Sequence, residues 1–329
     1  MKVCIVGSGG TISSLGHGSL DYVDYGDTGQ KLDPAGLLER FPEVAAAGEV
    51  IPVTWRAIGS PDIDVPDWLE LLALLHALPG RHPGLDGIVL THGTSTLEET
   101  AYFLHLALKL DIPVVLVGAQ RPASAFGSDA GANLRNAVRV AGSAEARGMG
   151  VLVVLNDEIQ SARDVTKTSI LRVQTFRTPD FGLLGYADPD RVLFYRKPTR
   201  AHAPDTEFSV EGAATLPRVD IVSSYAGADA VAIEAYLAAG ARGLVLAGLA
   251  PGMVAPRQRE PLDRAAAAGI PVIMSTRSMS GRVVPRAGLR NRGWLAADTL
   301  SPQKARILLM LGLTVTSEPE RLQAMFDRY

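Results

Sequence analysis

Two loops of the sequence carry hydroxyl side chains in settings that suit chemistry. The first, residues 7–14 (GSGGTISS), follows an apolar run and presents the hydroxyl of Thr11. Its glycines let the backbone pass close to a ligand. The second, residues 91–99 (THGTSTLEE), clusters Thr94, Ser95 and Thr96 before a helical pattern. The free N–H groups of a helix N-terminus suit an anion or a developing oxyanion.

Simpler interpretations of these two loops remain open. A dinucleotide fingerprint needs glycine where Ile12 stands, and a P-loop needs Gly-Lys-Ser/Thr, which is absent. The first loop is also compatible with an ordinary strand-to-turn connection. In the second loop, Ser95 with Glu98 and Thr96 with Glu99 are overlapping capping boxes, so either hydroxyl could be a helix N-cap. That explanation leaves Thr94 without a role.

A third polar segment, residues 163–168 (RDVTKT), carries Lys167. A lone lysine in such a segment is usually solvated surface. It gains a chemical role when it is buried beside a hydroxyl, because desolvation lowers its pKa and lets it act as a base.

The elements that position these loops alternate between short apolar runs and longer helical patterns. This alternation predicts βαβ units and a doubly wound, parallel α/β sheet, with ligands bound beyond the carboxyl ends of the strands. The predicted strands are 2–6, 87–90, 113–117 and 151–155. The predicted helices are 67–78, between Pro66 and Pro79, then 97–110 and 133–144.

The alternation stops in a polar, proline-containing stretch and then resumes. We expect a larger N-terminal α/β domain over 1–190, a linker over 191–216 and a smaller C-terminal α/β domain over 217–329. Predicted strands of the second domain are 219–222, 243–247 and 272–275, and predicted helices are 230–239, 258–268, 302–311 and 319–329.

Composition excludes several classes of function. The 32 basic and 35 acidic side chains give a formal net charge of −3, which favours neither nucleic acid nor an anionic membrane as a partner. The single cysteine, Cys4, excludes an intramolecular disulfide and a cysteine-based zinc site, and its apolar run predicts a buried side chain. With no leader-like segment or 18-residue apolar stretch, we expect a soluble, cytoplasmic protein.

The segments in their order resemble the bacterial-type L-asparaginase family over nearly the whole chain. The similar segments are 8–12 (SGGTI), 92–101 (HGTSTLEETA), 118–122 (GAQRP) with Asp129 and 133–134 (NL), 164–168 (DVTKT), 184–186 (LGY), 216–222 (LPRVDIV) and 301–306 (SPQKAR).

The resemblance implies a threonine-dependent amidohydrolase that needs no cofactor or metal. Thr11 would attack the amide carbon, form an acyl-enzyme and release ammonia. Thr94 and Lys167 would be a second hydroxyl–amine pair that passes protons, and backbone N–H groups of both loops would stabilise the oxyanion. A mobile-loop tyrosine assists the nucleophile in the family. Tyr25 fits this role best, and Tyr22 is a close alternative.

The resemblance also implies a substrate site with several departures. Ser60 matches the serine that holds the α-carboxylate, and Ala119 belongs to the similar 118–122 segment. Three positions lack the family's acceptors for the substrate α-ammonium: Ser95 replaces Asp, Pro61 replaces Gln or Glu, and Met253 ends a turn without the family's amides. The segment 277–282 shows no counterpart of the acid supplied by the classical enzymes.

Three hypotheses follow from these departures. The first is an amidohydrolase for asparagine or a close relative, with Asp62 or Asp21 as replacement acceptors. The second is the same chemistry on an amide without the α-ammonium, and the third is a catalytically silent binding protein. The resemblance further implies a homodimer or homotetramer acting on a small amide, without nucleic acid or membrane partners.

Overall fold

A computed structural model describes all 329 residues, which divide into two compact units, Met1–Asp205 and Thr206–Tyr329. The division falls within the segment 191–216 that was predicted as a linker. Part of that segment, Val192–Phe194, is a strand of the first unit's sheet. The predicted α/β class, with a larger N-terminal sheet domain and a smaller C-terminal one, is confirmed.

The first unit is built on an eight-stranded sheet in the order β10-β9-β6-β5-β4-β3-β1-β2. The strands are β1 (Lys2–Gly7), β2 (Glu49–Thr54), β3 (Gly87–Thr91), β4 (Val114–Val117), β5 (Val151–Leu155), β6 (Glu158–Ser161), β9 (Gly185–Ala187) and β10 (Val192–Phe194). A separate two-stranded ribbon joins β7 (Thr166–Lys167) and β8 (Phe176–Arg177). The helices are α1 (Pro34–Arg40), α2 (Val65–Arg81), α3 (Leu97–Ala107) and α4 (Ala130–Ala141).

The sheet is mixed, whereas the apolar runs predicted parallel strands only. Strands β1 to β5 are parallel, but β6, β9 and β10 are antiparallel to their neighbours. The cause is the two-residue connection from β5 to β6. Asn156 and Asp157 have φ values of 54° and 63°, as a tight hairpin turn requires, and such a turn can only join antiparallel strands.

Both faces of the first sheet are covered by apolar side chains. Val3 and Ile5 of β1 pack with Leu134 and Val138 of α4 on one face. Cys4 points to the opposite face and is fully buried, as predicted, and burial raises the pKa of its thiol to about 11. A thiol with a raised pKa is a poor nucleophile, so Cys4 contributes packing.

Several helix boundaries differ from the sequence prediction by a few residues, and that of α2 has a local reason. Helix α2 continues through Pro79 to Arg81, because a proline in the last turn removes a single backbone bond. The turn still closes by the bond from His82 N–H to the Leu78 carbonyl, at 2.9 Å. Helix α4 begins at Ala130, three residues before the predicted start.

The second unit is a four-stranded parallel sheet in the order β11-β12-β13-β14, covered by five helices. Its strands are β11 (Val219–Ser223), β12 (Gly243–Gly248), β13 (Val272–Thr276) and β14 (Leu295–Ala296). Its helices are α5 (Val231–Ala238), α6 (Pro256–Ala267), α7 (Ala287–Arg290), α8 (Pro302–Gly312) and α9 (Pro319–Arg328). No helix of the chain combines the length and apolar composition needed to cross a membrane.

Candidate active site

The predicted functional loops leave the first sheet at one edge. Gly7, the last residue of β1, pairs with Thr91 of β3 on one side and Thr54 of β2 on the other. Thr91 in turn pairs with Val117, the end of β4. The chain passes from β1 to β2 in one direction and through β3, β4 and β5 in the other. The loops after β1 and β3 therefore meet at the topological switch point, where ligands bind in α/β sheets.

Glycines let the two loops touch backbone to backbone. Gly9 and Gly10 both have φ of 88°, a conformation that favours glycine. A Cβ on Gly10 would lie 2.4 Å from the backbone nitrogen of Gly93, and one on Gly93 would lie 2.6 Å from Ser60 Oγ. Larger residues would push these loops apart, so the glycines set the close spacing of the hydroxyl-bearing segments.

Thr11 pairs with a tyrosine from the loop that follows it. The Thr11 and Tyr25 hydroxyl oxygens are 2.8 Å apart. Tyr25 lies in the short 3-10 turn Asp24–Thr28, and Thr28 Oγ1 fastens that turn by donating to the Leu15 carbonyl at 2.6 Å. The nucleophile predicted from the resemblance thus has a polar partner that can accept or relay its proton.

Tyr22, the alternative to Tyr25, lies elsewhere. Its hydroxyl donates to the Phe126 carbonyl at 2.8 Å, and the Arg121 guanidinium stacks over its ring at 5.7 Å. Both contacts hold the ring against the loop 121–127 and away from Thr11.

We expect Tyr25→Phe to lower kcat for amide hydrolysis about 100-fold, because it removes the hydroxyl that contacts Thr11. Tyr22→Phe is the matched control and should change kcat by no more than about twofold, since its hydroxyl only anchors a loop. Steady-state ammonia release by both variants measures the difference. An equal loss in the two variants would show that the tyrosines act through loop order alone.

The second hydroxyl pair joins Thr94 to Lys167. Lys167 Nζ donates to Thr94 Oγ1 at 2.7 Å, and Thr94 is 5% exposed. Burial lowers the pKa of the Lys167 ammonium below its usual range, while the nearby charge of Glu98 opposes part of that shift. Lys167 is therefore half-buried beside a hydroxyl and has a lowered pKa, the two conditions under which a lysine of this segment gains a chemical role.

Glu98 is a site residue that the sequence interpretation assigned wrongly. Its carboxylate accepts a hydrogen bond from Lys167 N–H at 2.7 Å instead of closing a capping box with Ser95. Helix α3 has Thr96 at its N-cap position but no side-chain cap. Thr96 Oγ1 donates instead to the Ser60 carbonyl at 2.8 Å. Both predicted capping boxes are therefore wrong, because these side chains join the loop to other segments.

The backbone of both loops offers free donors. The N–H groups of Thr11 and Thr94 make no hydrogen bond within the chain. Two such donors beside a hydroxyl group could stabilise an oxyanion.

His92 is a second residue that sequence reasoning missed. It is fully buried, and burial lowers its pKa to about 4, so the ring is neutral. Since the Gly93 carbonyl can only accept, Nδ1 donates to it at 2.8 Å, and Nε2 accepts from Thr100 Oγ1 at 2.9 Å. Trp68 Nε1 completes the series by donating to Thr100 at 2.9 Å. This series of hydrogen bonds orients the peptide group between Gly93 and Thr94.

The predicted substrate-binding residues flank the two pairs. Ser60 is buried, and its Oγ accepts from the Ser95 N–H at 3.3 Å. The side chains of Ser95 and Pro61 are exposed. Ala119 is fully buried and follows Gly118, where an added Cβ would lie 2.9 Å from Thr94 Cγ2. The hydroxyl and amide donors are in place, but no carboxylate stands at position 95.

The segment 118–122 is fixed by two polar residues at the start of α4. The Asp129 carboxylate accepts from the N–H groups of Gln120 and Arg121 at 3.0 and 2.9 Å. Asn133 Nδ2 donates to the Gly118 carbonyl at 3.0 Å. These contacts give Asp129 and Asn133 a structural role in holding the segment.

The candidate replacement acceptors differ in availability. The Asp21 carboxylate already accepts from three backbone N–H groups of its own loop, those of His17, Val23 and Asp24. Asp62 is exposed on the same short turn as Ser60. Met253 lies in the second unit, in a turn closed by paired bonds to Leu249, and its side chain is exposed. Asp62 is thus the freer of the two carboxylates.

The sequence matches two family models that together cover most of the chain. Residues 2–200 match the model described as "Asparaginase, N-terminal", and residues 218–326 match the "Glutaminase/Asparaginase C-terminal domain".

Full-length relatives agree with the family models. The chain is 41% identical to L-asparaginase 2 of Bacillus subtilis, covering 100% of this chain and 86% of the relative. It is 38% identical to L-asparaginase 2 of Escherichia coli, covering 100% and 93%. It is 37% identical to a glutaminase-asparaginase of Pseudomonas fluorescens, covering 100% and 90%.

A solved structure shows the same fold over the whole length. The probable cytoplasmic L-asparaginase of Campylobacter jejuni superposes with a TM-score of 0.94 at 38% identity, covering 100% of this chain and 99% of that one. Together, the models, the relatives and the fold show that this chain belongs to the asparaginase family.

Proposed function

We propose that the protein is an asparaginase-type amidohydrolase that converts L-asparagine or a close analogue to the carboxylate and ammonia. One observation carries the proposal: the half-buried Lys167 contacts Thr94 at 2.7 Å, on a loop whose backbone touches the Thr11 loop. The family names of the relatives, L-asparaginase and glutaminase-asparaginase, support the substrate class.

The reaction follows from the two pairs. Thr11 Oγ forms a bond to the amide carbon as its proton passes to the Tyr25 hydroxyl, which passes its own proton on to the amide nitrogen, and the free N–H groups of Thr11 and Thr94 hold the oxyanion. The oxyanion collapses, the C–N bond breaks, and the nitrogen leaves as ammonia with the proton relayed from Thr11. Water next attacks the ester carbon and loses a proton to the Thr94–Lys167 pair. The bond from that carbon to Thr11 Oγ breaks, Thr11 regains a proton from the pair, and the acid leaves as its carboxylate with a proton lost to solvent.

A second candidate is the same hydrolysis on an amide that lacks the α-ammonium. The neutral Ser95 favours it, since an ammonium enclosed without a paired anion is costly, by about 2–5 kcal/mol for a buried pair. Ammonia release from L-Asn, D-Asn, L-Gln, succinamate and simple amides separates the candidates. Turnover of L-Asn at low millimolar concentration supports the first. Turnover of succinamate alone supports the second. Binding without turnover of any amide would indicate a silent binding protein.

A carboxylate placed at position 95 tests whether its absence limits the binding of L-Asn. We expect Ser95→Asp to raise kcat/KM for L-Asn about tenfold or more and to leave succinamate unchanged or slower, since only L-Asn has an ammonium for it to pair with. Ser95→Asn is the matched control, because it has the same shape without the charge. If neither variant gains on L-Asn, the missing carboxylate does not limit asparagine binding.

Three finer features belong to the same proposal. The nucleophile is Thr11, supported by its contact with Tyr25. The protein is cytoplasmic, supported by its likeness to the Campylobacter protein described as such, although a similar Haemophilus influenzae protein is named a probable periplasmic L-asparaginase. The chain assembles as a homodimer or homotetramer, which rests on the family resemblance.

A further inference from the structure

A second cavity of the first unit lies beside the turn that leads into β7. Its volume is about 320 Å³, within the range of small-molecule pockets. It is lined by the turn residues Ser161, Arg163 and Asp164, by His105 at the end of α3, and by the segments 181–184 and 196–200. None of the lining residues belongs to the two hydroxyl pairs of the candidate active site, and this basic cavity is described by its own lining.

The basic cavity concentrates positive charge. Four cationic side chains line it, and Asp164 is the one carboxylate among the lining residues, which gives a formal charge of +3. The whole chain, by contrast, carries −3. The cations are Arg163, Arg196, Lys197 and Arg200. A cluster of this sign on a mildly acidic protein is a local feature and does not follow from overall composition.

The cationic side chains of the basic cavity differ in their burial and in their ion pairing. Arg163 is 4% exposed and donates to Asp164 Oδ1 at 2.7 Å. Arg196 and Lys197 are exposed and make no ion pair, and the Arg196 guanidinium donates only to the Phe181 carbonyl. The buried arginine therefore lies at the base of the cavity, and two uncompensated cations lie at its mouth.

This arrangement suits an anion with more than one charged group. Guanidinium groups bind carboxylate and phosphate oxygens through paired hydrogen bonds, and lysine adds a mobile point charge. The hydroxyls of Ser161 and Thr199 add neutral donors to the lining. An incoming anion would also offset the positive charge of Arg196 and Lys197, which make no ion pair.

We propose that the basic cavity is a binding site for a small multivalent oxyanion, a polycarboxylate or a phosphate, with Arg163 at its base and Arg196 and Lys197 at its mouth. This inference does not depend on the proposed hydrolysis.

Calorimetric titration of the full chain at low ionic strength tests the site, with citrate and inorganic phosphate as separate probes and sodium chloride at matched ionic strength as the blank. We expect saturable binding of one anion per chain. The tighter of the two probes assigns the class as polycarboxylate or phosphate.

The variant Arg196→Ala/Lys197→Ala should weaken that binding about tenfold or more. The control Arg81→Ala/Arg147→Ala removes the same charge from exposed positions outside the cavity and should keep the affinity within about twofold. Lys197→Gln alone, expected to weaken binding about threefold, serves if the double variant fails to fold. Absence of saturable binding by both probes, or equal weakening in both double variants, overturns the proposal.

Discussion

Thr11→Val is expected to lower kcat for amide hydrolysis by about 10⁴-fold or more, the scale of removing a covalent nucleophile. Valine keeps the shape of threonine but has no oxygen to attack the substrate. The fold should persist, since the replacement breaks only the hydroxyl contact with Tyr25, a loss of about 1 kcal/mol. Ammonia release and thermal unfolding of the same preparation measure the two effects.

Two further variants decide which threonine carries the acyl group. Thr11→Ser keeps a nucleophilic oxygen and should recover a substantial part of the activity. Thr94→Val should slow the reaction through proton transfer, yet still form an acyl-enzyme. Mass spectrometry of acid-quenched enzyme should find the acyl group on the peptide that contains Thr11. Full activity in Thr11→Val, or acylation at Thr94, would show that the lysine-paired hydroxyl is the nucleophile instead.

The general position of the site could be predicted from the sequence because it depends on local patterns. The apolar runs before Thr11 and Thr94 have the length and composition of buried strands, and parallel strands bring their carboxyl ends to one edge. The glycines of the first loop predicted that its backbone passes close to a ligand; the structure shows a close approach to the backbone of Gly93, and the approach to a ligand stays a prediction. Local periodicity was sufficient for these features.

Contacts between distant segments could not be predicted in the same way. Glu98 has a good capping partner three residues away in sequence, yet its carboxylate binds the Lys167 backbone, 69 residues along the chain. His92 gave no signal, because its partners Thr100 and Gly93 are ordinary neighbours in a helical pattern. Tertiary packing decides between such alternatives, and only the folded chain shows which one wins.

Charge shows the same distinction between composition and position. A total of −3 excluded nucleic acid and anionic membranes as expected partners but described no site. In the folded chain, three local features are informative. Burial lowers the pKa of Lys167, the neutral Ser95 stands where the family has a carboxylate, and the lining of the basic cavity has a formal charge of +3. In the functions proposed above, these features would concern three different ligand groups: the reacting amide, the substrate ammonium and a separate anion.

Lys167→Met is expected to lower kcat about 10³-fold, because it removes the amine that contacts Thr94 while leaving the backbone bond to Glu98. The neutral amine is the active form, so kcat should rise as the pH rises through the pKa of Lys167. Since burial lowers that pKa, the midpoint of the rise in kcat should lie at a pH below about 10.4, the pKa of an exposed lysine. The residual activity of Lys167→Met should lack this rise.

Glu98→Gln tests how the charge of Glu98 affects the pKa of Lys167. The carboxylate raises the pKa of Lys167, so its removal should move the rise in kcat to lower pH, and the glutamine oxygen can still accept the Lys167 N–H. Lys2→Met is the control: this lysine lies at the opposite end of β1, and its loss should change kcat less than about twofold. If the pH profile of kcat is identical in the wild-type protein and in Lys167→Met, another group performs the proton transfer. Tyr25, whose hydroxyl contacts that of Thr11, is then the first candidate.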